Sequence, residues 1–294
     1  MEGRSEEKKR IRKMRLWVKL LILLFVTSVG TTLYARFIGT SGIIIKEYLI
    51  VNKELPSSFS GLKIAHLSDI HYGQTTRKKQ MEEIVKRVNE YEPDIIVITG
   101  DLLDRNLTYS NQDIKDLEEC LQGLNAKTGK YIIMGNHDNT QQVYNEIVLN
   151  SGLTNLNEKH ELLYYKSNEP IIISGMSTGE YSGLTPEQKI EDSIQLIKEK
   201  NVSYSILIMH EPDYINEIEY ENFDLILAGH SHNGQVRLPF IGAIILPPHA
   251  EAYYDEYYKI NNTDLYISSG IGTSTLKFRL FNRPSFNLYR IVTK

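Results

Sequence analysis

The chain has 294 residues, 41% hydrophobic and 24% charged, an ordinary globular balance with room for one large domain or two small ones. Its net charge of −4 is uneven: residues 1–16 hold seven Lys or Arg against three Glu, a local balance of +4, so the remainder carries −8. An acidic body argues against a general nucleic-acid binder, and a single cysteine, Cys120, excludes an internal disulfide or a thiolate cluster.

The first element is apolar. Trp17 to Tyr34 is an 18-residue stretch with one charge, Lys19, near its start. At 1.5 Å per residue it spans about 27 Å, just enough for a bilayer core. A basic cluster from Lys8 to Arg15 precedes it and only Arg36 follows closely. The positive-inside rule then keeps residues 1–16 in the cytoplasm, makes 17–35 a single-pass anchor in the cell membrane, and places the rest outside the cytoplasm. A cleaved signal peptide is the rival reading. No Ala-x-Ala site is present, so the uncleaved anchor is preferred.

Downstream, Ile43 to Val51 reads as an opening strand, broken at Pro56 to Ser58. Strands then alternate with amphipathic helices. Thr76 to Tyr91 has Met81, Ile84, Val85 and Val88 at spacings of three and four. Asn111 to Leu124, with Cys120 as a small buried hydrophobe, and Thr140 to Asn150 follow the same logic. Thr185 before Pro186 predicts an N-cap opening a helix to Lys200. Past Gly234 the pattern turns to β segments at 235–238, 265–268 and 286–292. The expected domain is a single one, 42–294, of packed sheets flanked by helices.

Five apolar runs suited to buried strands each end in a metal-binding side chain. They lead into Asp69 and His71, into Gly100-Asp101, into Asn136, His137 and Asp138, into His210, and into His230 and His232. In open α/β sheets ligands gather beyond the carboxyl ends of strands, so one converging site is expected. Each segment alone has a bland reading as turn chemistry. In an extended segment His230 and His232 would point the same way. Five of the eight histidines fall in these segments.

Asp, His and one amide suit Mn, Fe, Zn or Co better than Ca, which prefers oxygen alone. Two such ions a few ångströms apart, bridged by a carboxylate for which Asp101 is the natural candidate, activate water and clamp the oxygens of an in-line displacement. No serine or cysteine nucleophile is needed.

In order and spacing the five segments resemble the calcineurin-like metallophosphoesterases, whose motifs read D-x-H, G-D, G-N-H-D/E, H and G-H-x-H. The resemblance covers about residues 60–290, and the tail around Gly234 to Pro239 and Ser269 to Thr273 looks like the exported, membrane-associated bacterial branch. It implies a four-layer αββα sandwich behind one N-terminal transmembrane helix. It implies Asp69, His71, Asp101 and His232 on a first metal, and Asp101, Asn136, His210 and His230 on a second. His137 would be the non-ligand histidine that protonates the leaving group or steadies the phosphoryl oxygens. Asp138 would orient His137, with Asp104 as the alternative carboxylate.

Of the other histidines, His66 reads as a hydrogen-bonded core residue, His160 as solvated, and His249 as a loop residue with a small claim on the cleft. The apolar run Leu238 to Pro248 is either a lip dipping into lipid beside the site or a buried hairpin, and the hairpin is preferred. The Tyr253, Tyr254, Tyr257 and Tyr258 cluster suits a membrane interface or a sheet edge. Arg237 and Arg279 are phosphate contacts or surface ion-pair members.

The expectation is a membrane-anchored phosphoesterase that hydrolyses a phosphodiester or phosphomonoester by attack of metal-bound hydroxide. Its partners are a phosphoester substrate, lipid or cell-envelope, and the membrane, with no nucleic acid and no obligate protein partner evident. The alternative is a non-catalytic, metal-stabilised protein that binds cell-wall or other anionic polymers; His137, which a binder does not need, favours the enzyme.

Overall fold

An apolar helix opens the chain. In the computed structural model, which describes residues 2–138, 141–179 and 181–294, α1 (Glu2–Leu33) continues through a π-turn at Tyr34–Ile38. The apolar window Arg10–Ile38, 29 residues, is long enough to cross a membrane, and at 1.5 Å per residue it measures about 44 Å. Leu20 to Val26 are uncovered by the rest of the chain. The polar stretch at Ser28 to Thr32 stays helical, with the Thr32 hydroxyl donating to the Ser28 carbonyl one turn back.

Among the described residues fourteen strands follow in chain order. Ile44–Val51 (β1), Leu62–Leu67 (β2), Ile95–Thr99 (β3), Gly129–Ile133 (β4) and Thr154–Asn155 (β5) precede Lys159–Leu163 (β6), Ile171–Met176 (β7), Ser205–Met209 (β8) and Leu225–Ala228 (β9). Arg237–Leu238 (β10) and Gly242–Ala243 (β11) form a hairpin, and Tyr257–Ile260 (β12), Thr263–Ile267 (β13) and Ser285–Val292 (β14) close the chain. They make two six-stranded sheets, ordered β1-β14-β2-β3-β4-β5 and β12-β13-β9-β8-β7-β6. The helices are α2 (Lys78–Glu90), α3 (Asn111–Gln122), α4 (Gln141–Asn150) and α5 (Pro186–Lys200). Thr140, the expected start of α4, lies outside the described residues. Thr185 caps α5, its hydroxyl accepting from the Gln188 amide.

The alternation of side chains builds the layers. Ile64, Ile95, Val97 and Ile133 of the first sheet meet Ile173, Ile206, Ile208 and Leu227 of the second in the central core. Ala65, Leu67, Ile96 and Ile98 face the other way, onto Met81, Ile84, Leu117 and Ile147 of the helices. Leu207 and Ile226 pack with Ile190 outside the second sheet. The result is an αββα sandwich. Strands β2, β3 and β4 run parallel, as do β7, β8, β9 and β13.

One expectation changes. The run Leu238 to Pro248 does contain a hairpin, but not a buried one: Phe240, Ile241, Ile244 and Ile245 are exposed. Its strands β10 and β11 pair with each other as a separate two-stranded sheet and join neither six-stranded sheet. The tyrosine cluster covers a sheet edge, with Tyr257 and Tyr258 on the outer strand β12 and Tyr253 edge-on to Tyr258 at 5.0 Å.

Candidate metal centre

Strands β2, β3, β4, β8 and β9 end at one rim of the sandwich, where the backbone turns sharply. Asp69, His71, Asp101, His230 and His232 all have φ between 43° and 65°. Left-handed backbone costs an L-residue roughly 1–2 kcal/mol, and such strain collects where side chains must be aimed. Glycines allow the rims to meet: a Cβ on Gly135 would lie 2.3 Å from Asp101 Oδ1 and 2.8 Å from His210 Cε1.

Two donor sets converge there. In the first, His71 Nε2 lies 3.2 Å from His232 Nε2 and 3.5 Å from Asp101 Oδ2, while His232 Nε2 lies 3.5 Å from Asp69 Oδ1. In the second, His210 Nε2 lies 3.4 Å from Asp101 Oδ1 and 3.0 Å from Asn136 Oδ1, with His230 alongside. All the carboxylates and imidazoles of both sets are buried. The two oxygens of Asp101 therefore face the two sets. His230 and His232 diverge, one to each set, because their left-handed turn replaces the extended segment that would have aligned them.

The imidazoles are held in ligand-ready tautomers. His210 Nδ1 donates to the Thr99 carbonyl at 2.7 Å, leaving the Nε2 lone pair for the site. His230 Nε2 donates to the Pro248 carbonyl at 2.8 Å, leaving Nδ1. Such outer contacts orient metal-bound histidines. Buried carboxylates facing imidazole lone pairs fit divalent cations of the Mn, Fe, Zn or Co type.

Charges within the site are coupled. Burial raises the Asp101 carboxyl, but His210, His71 and His137 outweigh it and draw its pKa well below the carboxylate range. Burial opposes the charged forms of His71 and His210, yet Asp104 and Asp101 raise the first and Asp101 raises the second. His232 goes the other way, lowered by burial and then by His71 and Arg279.

His137 is buried beside these sets, close enough to His71 and Asp101 to form a third possible grouping, and edge-on to His71 at 4.7 Å. Its Nδ1 faces Asp104 Oδ2 at 3.8 Å, and the same oxygen faces His71 Nδ1 at 3.5 Å. Asp138 is elsewhere engaged: its oxygens accept the Leu103 amide at 2.8 Å and the Gly135 amide at 3.0 Å. The carboxylate beside His137 is therefore Asp104, and Asp138 clamps the motif loops.

A cavity of about 280 Å3 opens over the site, lined by Asp101, Asn136, His137 and His230 and walled by Ile245 to Pro248 and Leu276. Arg105 also lines it, a cation at the mouth that sequence reasoning missed although it directly follows Asp104. A larger cavity of about 890 Å3, between the end of the apolar helix and α2, has neither His nor Asp in its lining; donor chemistry, not size, marks the site.

The remaining candidates are structural. Arg279 is fully buried, donates to the Gly270 and Gly272 carbonyls, and has NH2 3.2 Å from His232 Nδ1. It is neither a surface ion-pair member nor open to a phosphate. Arg237 pairs with Asp255 at 2.7 Å. His66 is buried between Thr99 and Tyr289, His160 lies 3.3 Å from the Ser193 hydroxyl, and His249 is exposed and stacked on Tyr214.

Comparison with known proteins agrees with the geometry. The profile of the calcineurin-like phosphoesterases matches residues 62–234. The chain belongs to that family. It is 29% identical over 274 residues to the uncharacterized metallophosphoesterase YkuE of Bacillus subtilis, covering 90% of this chain and 91% of that protein. An uncharacterized metallophosphoesterase of Aquifex aeolicus is 30% identical over 85% of this chain and 92% of its own length. A transmembrane protein with metallophosphoesterase domain from Danio rerio is 28% identical, over 79% of this chain and 53% of the fish protein. As a calcineurin-like phosphoesterase, the chain is a metal-dependent phosphoester hydrolase by family.

Proposed function

We propose that this calcineurin-like phosphoesterase is membrane-anchored, holds two divalent ions, and hydrolyses a phosphodiester or phosphomonoester outside the cytoplasm. Residues 1–16 would be cytoplasmic, 17–35 the anchor and 42–294 the catalytic domain. One observation carries the reading: Asp101 presents one oxygen to each of two buried donor sets. Asp69, His71, Asp101 and His232 would hold one ion; Asp101, Asn136, His210 and His230 the other.

When bound, such ions polarise phosphoryl oxygens and supply a water nucleophile at neutral pH. The chain's own residues do the rest. His137, with Nδ1 toward Asp104, keeps Nε2 for a phosphoryl or leaving-group oxygen and is suited to give it a proton. Asp138 fixes the Leu103 and Gly135 amides, so that Asp101 and His137 keep their relation. Arg105 at the mouth favours an anionic ester.

The full chain, loaded with Mn and assayed on p-nitrophenyl phosphate and its diesters, tests the proposal. Asp101→Asn and His137→Ala should each abolish most turnover; full activity in both would sink it. Protease accessibility on intact cells tests the side of the membrane.

A further inference from the structure

The hairpin β10–β11 carries an apolar surface that the rest of the fold leaves bare. Phe240 is fully exposed and Ile241 is 70% exposed, with Ile244 and Ile245 beside them. No charged residue occurs from Leu238 to Pro248. Contiguous apolar surface of this kind marks an interaction site.

Where the hairpin is tied indicates what covers it. The Arg237 amide donates to the Leu280 carbonyl at 3.0 Å, and the Leu280 amide to the Gln235 carbonyl at 3.2 Å. The neighbouring Arg279 amide donates to the Ala35 carbonyl at 3.0 Å. Ala35 lies in the last turn of the apolar helix. The base of the hairpin is thus pinned, through one short segment, to the point where the helix meets the domain. Phe37, Ile38 and Phe281, in the segments that make this tie, are exposed as well, and Arg36, Lys277 and Arg283 lie in the same segments. Aromatic, aliphatic and basic side chains in this combination suit the interface of an anionic bilayer.

The same loop serves the metal centre. Its descending arm, Ile245 to Pro248, walls the cavity over His137, and the Pro248 carbonyl holds His230. Tip, wall and ligand support are one continuous stretch of chain.

We infer that the hairpin is a lip whose Phe240–Ile241 tip inserts into the leaflet from which the helix emerges. The site takes its phosphoester from the headgroup of a membrane lipid, whose apolar part stays along the lip. The inference rests on the anchored-phosphoesterase reading above and names that site's substrate class.

The test uses the full chain with buried Cys120 replaced (Cys120→Ala), carrying a polarity-sensitive fluorophore on Ile241→Cys or, separately, on Val26→Cys in the helix. Both are reconstituted in phosphatidylcholine–phosphatidylglycerol vesicles with spin-labelled acyl chains. Quenching of both probes by the acyl-chain labels is expected. A lipid-quenched Val26 probe beside a water-accessible Ile241 probe overturns the lip while the anchor stands. An Ile241 probe shielded from both lipid and water means that a protein surface, such as a second copy, covers the tip, and also overturns it. If both probes are in water, the anchor reading fails and the lip with it.

The substrate half is read with Mn-loaded protein on phosphatidic acid in the same vesicles against glycerol 3-phosphate. A preference in kcat/KM for the lipid on the order of tenfold or more is expected. Equal or reversed rates overturn that half. Turnover of neither these nor p-nitrophenyl esters overturns it together with the phosphoesterase reading, and leaves the lip to the quenching result.

Discussion

His71 and His232 stack with their planes 16° apart, and their Nε2 atoms face each other at 3.2 Å. Two imidazole nitrogens meet this closely only by sharing a proton or a cation. With Asp69 and Asp101 against the same atoms, the cation is the better partner. Chelator-stripped protein should therefore gain stability when Mn or Zn is added. At a hundredfold excess over Kd, binding stabilises by about 2.7 kcal/mol, which raises Tm by about 4–5 °C in a chain of this size. Scanning fluorimetry with metal analysis checks this. His71→Ala and His210→Ala should each lose one equivalent of bound metal, and an unchanged Tm in the parent would refute the site.

The two carboxylates near His137 should separate experimentally. Asp104→Asn removes the charge facing His137 Nδ1, so kcat should fall with little change in Tm. Asp138→Asn replaces an acceptor of the Leu103 or Gly135 amide by a donor and leaves a buried N–H unpaired. That costs about 1–3 kcal/mol, so Tm should fall. His137→Ala should lower kcat by about 10²–10⁴-fold with metal content intact. The converse pattern in the two aspartate variants would return the positioning role to Asp138.

The strand-end donors were legible because each lies within four residues of an apolar run, a local relation that survives without tertiary knowledge. Which carboxylate meets His137 was not legible. Asp104 and Asp138 both follow motif segments, and only the path of the 102–105 loop brings the first to the imidazole. The divergence of His230 and His232 came only from the family resemblance, since no local pattern announces a left-handed φ at a histidine. The second sheet was read only in part. Strand β7 breaks its apolar run at Ser174-Gly175, and β6 is an antiparallel outer strand with polar positions. The exposure of Phe240 and Ile241 was misjudged because an apolar run reads alike whether protein or lipid covers it.

Gly135 should tolerate no side chain. Its hypothetical Cβ meets the Asp101 amide nitrogen at 2.4 Å as well as the Asp101 carboxylate and the His210 ring. The Asp101 backbone and its carboxylate cannot both yield. Gly135→Ala is expected to keep the far-ultraviolet dichroism of the sheets while losing metal from both donor sets, because Asp101 belongs to both. Retention of one equivalent would show that the two sets fill independently of the Asp101 position.

His66 provides a pH test away from the two donor sets. It is wholly buried between Thr99 Oγ1 at 2.8 Å and Tyr289 OH at 3.3 Å, and burial pulls its pKa down to about 3. The unfolded chain binds a proton near the ordinary value of about 6.5, so below that pH the unfolded state takes up the proton and the folded state does not. Stability is therefore complete above pH 6.5 and is lost as pH falls toward 3, at up to about 1.4 kcal/mol per pH unit. His66→Gln keeps a polar partner for Thr99 but does not titrate. With chelator present to remove metal effects, the parent should lose on the order of 2 kcal/mol more than His66→Gln between pH 6.5 and 5. Parallel denaturant midpoints for the two proteins across that range would mean that His66 is protonated in the fold.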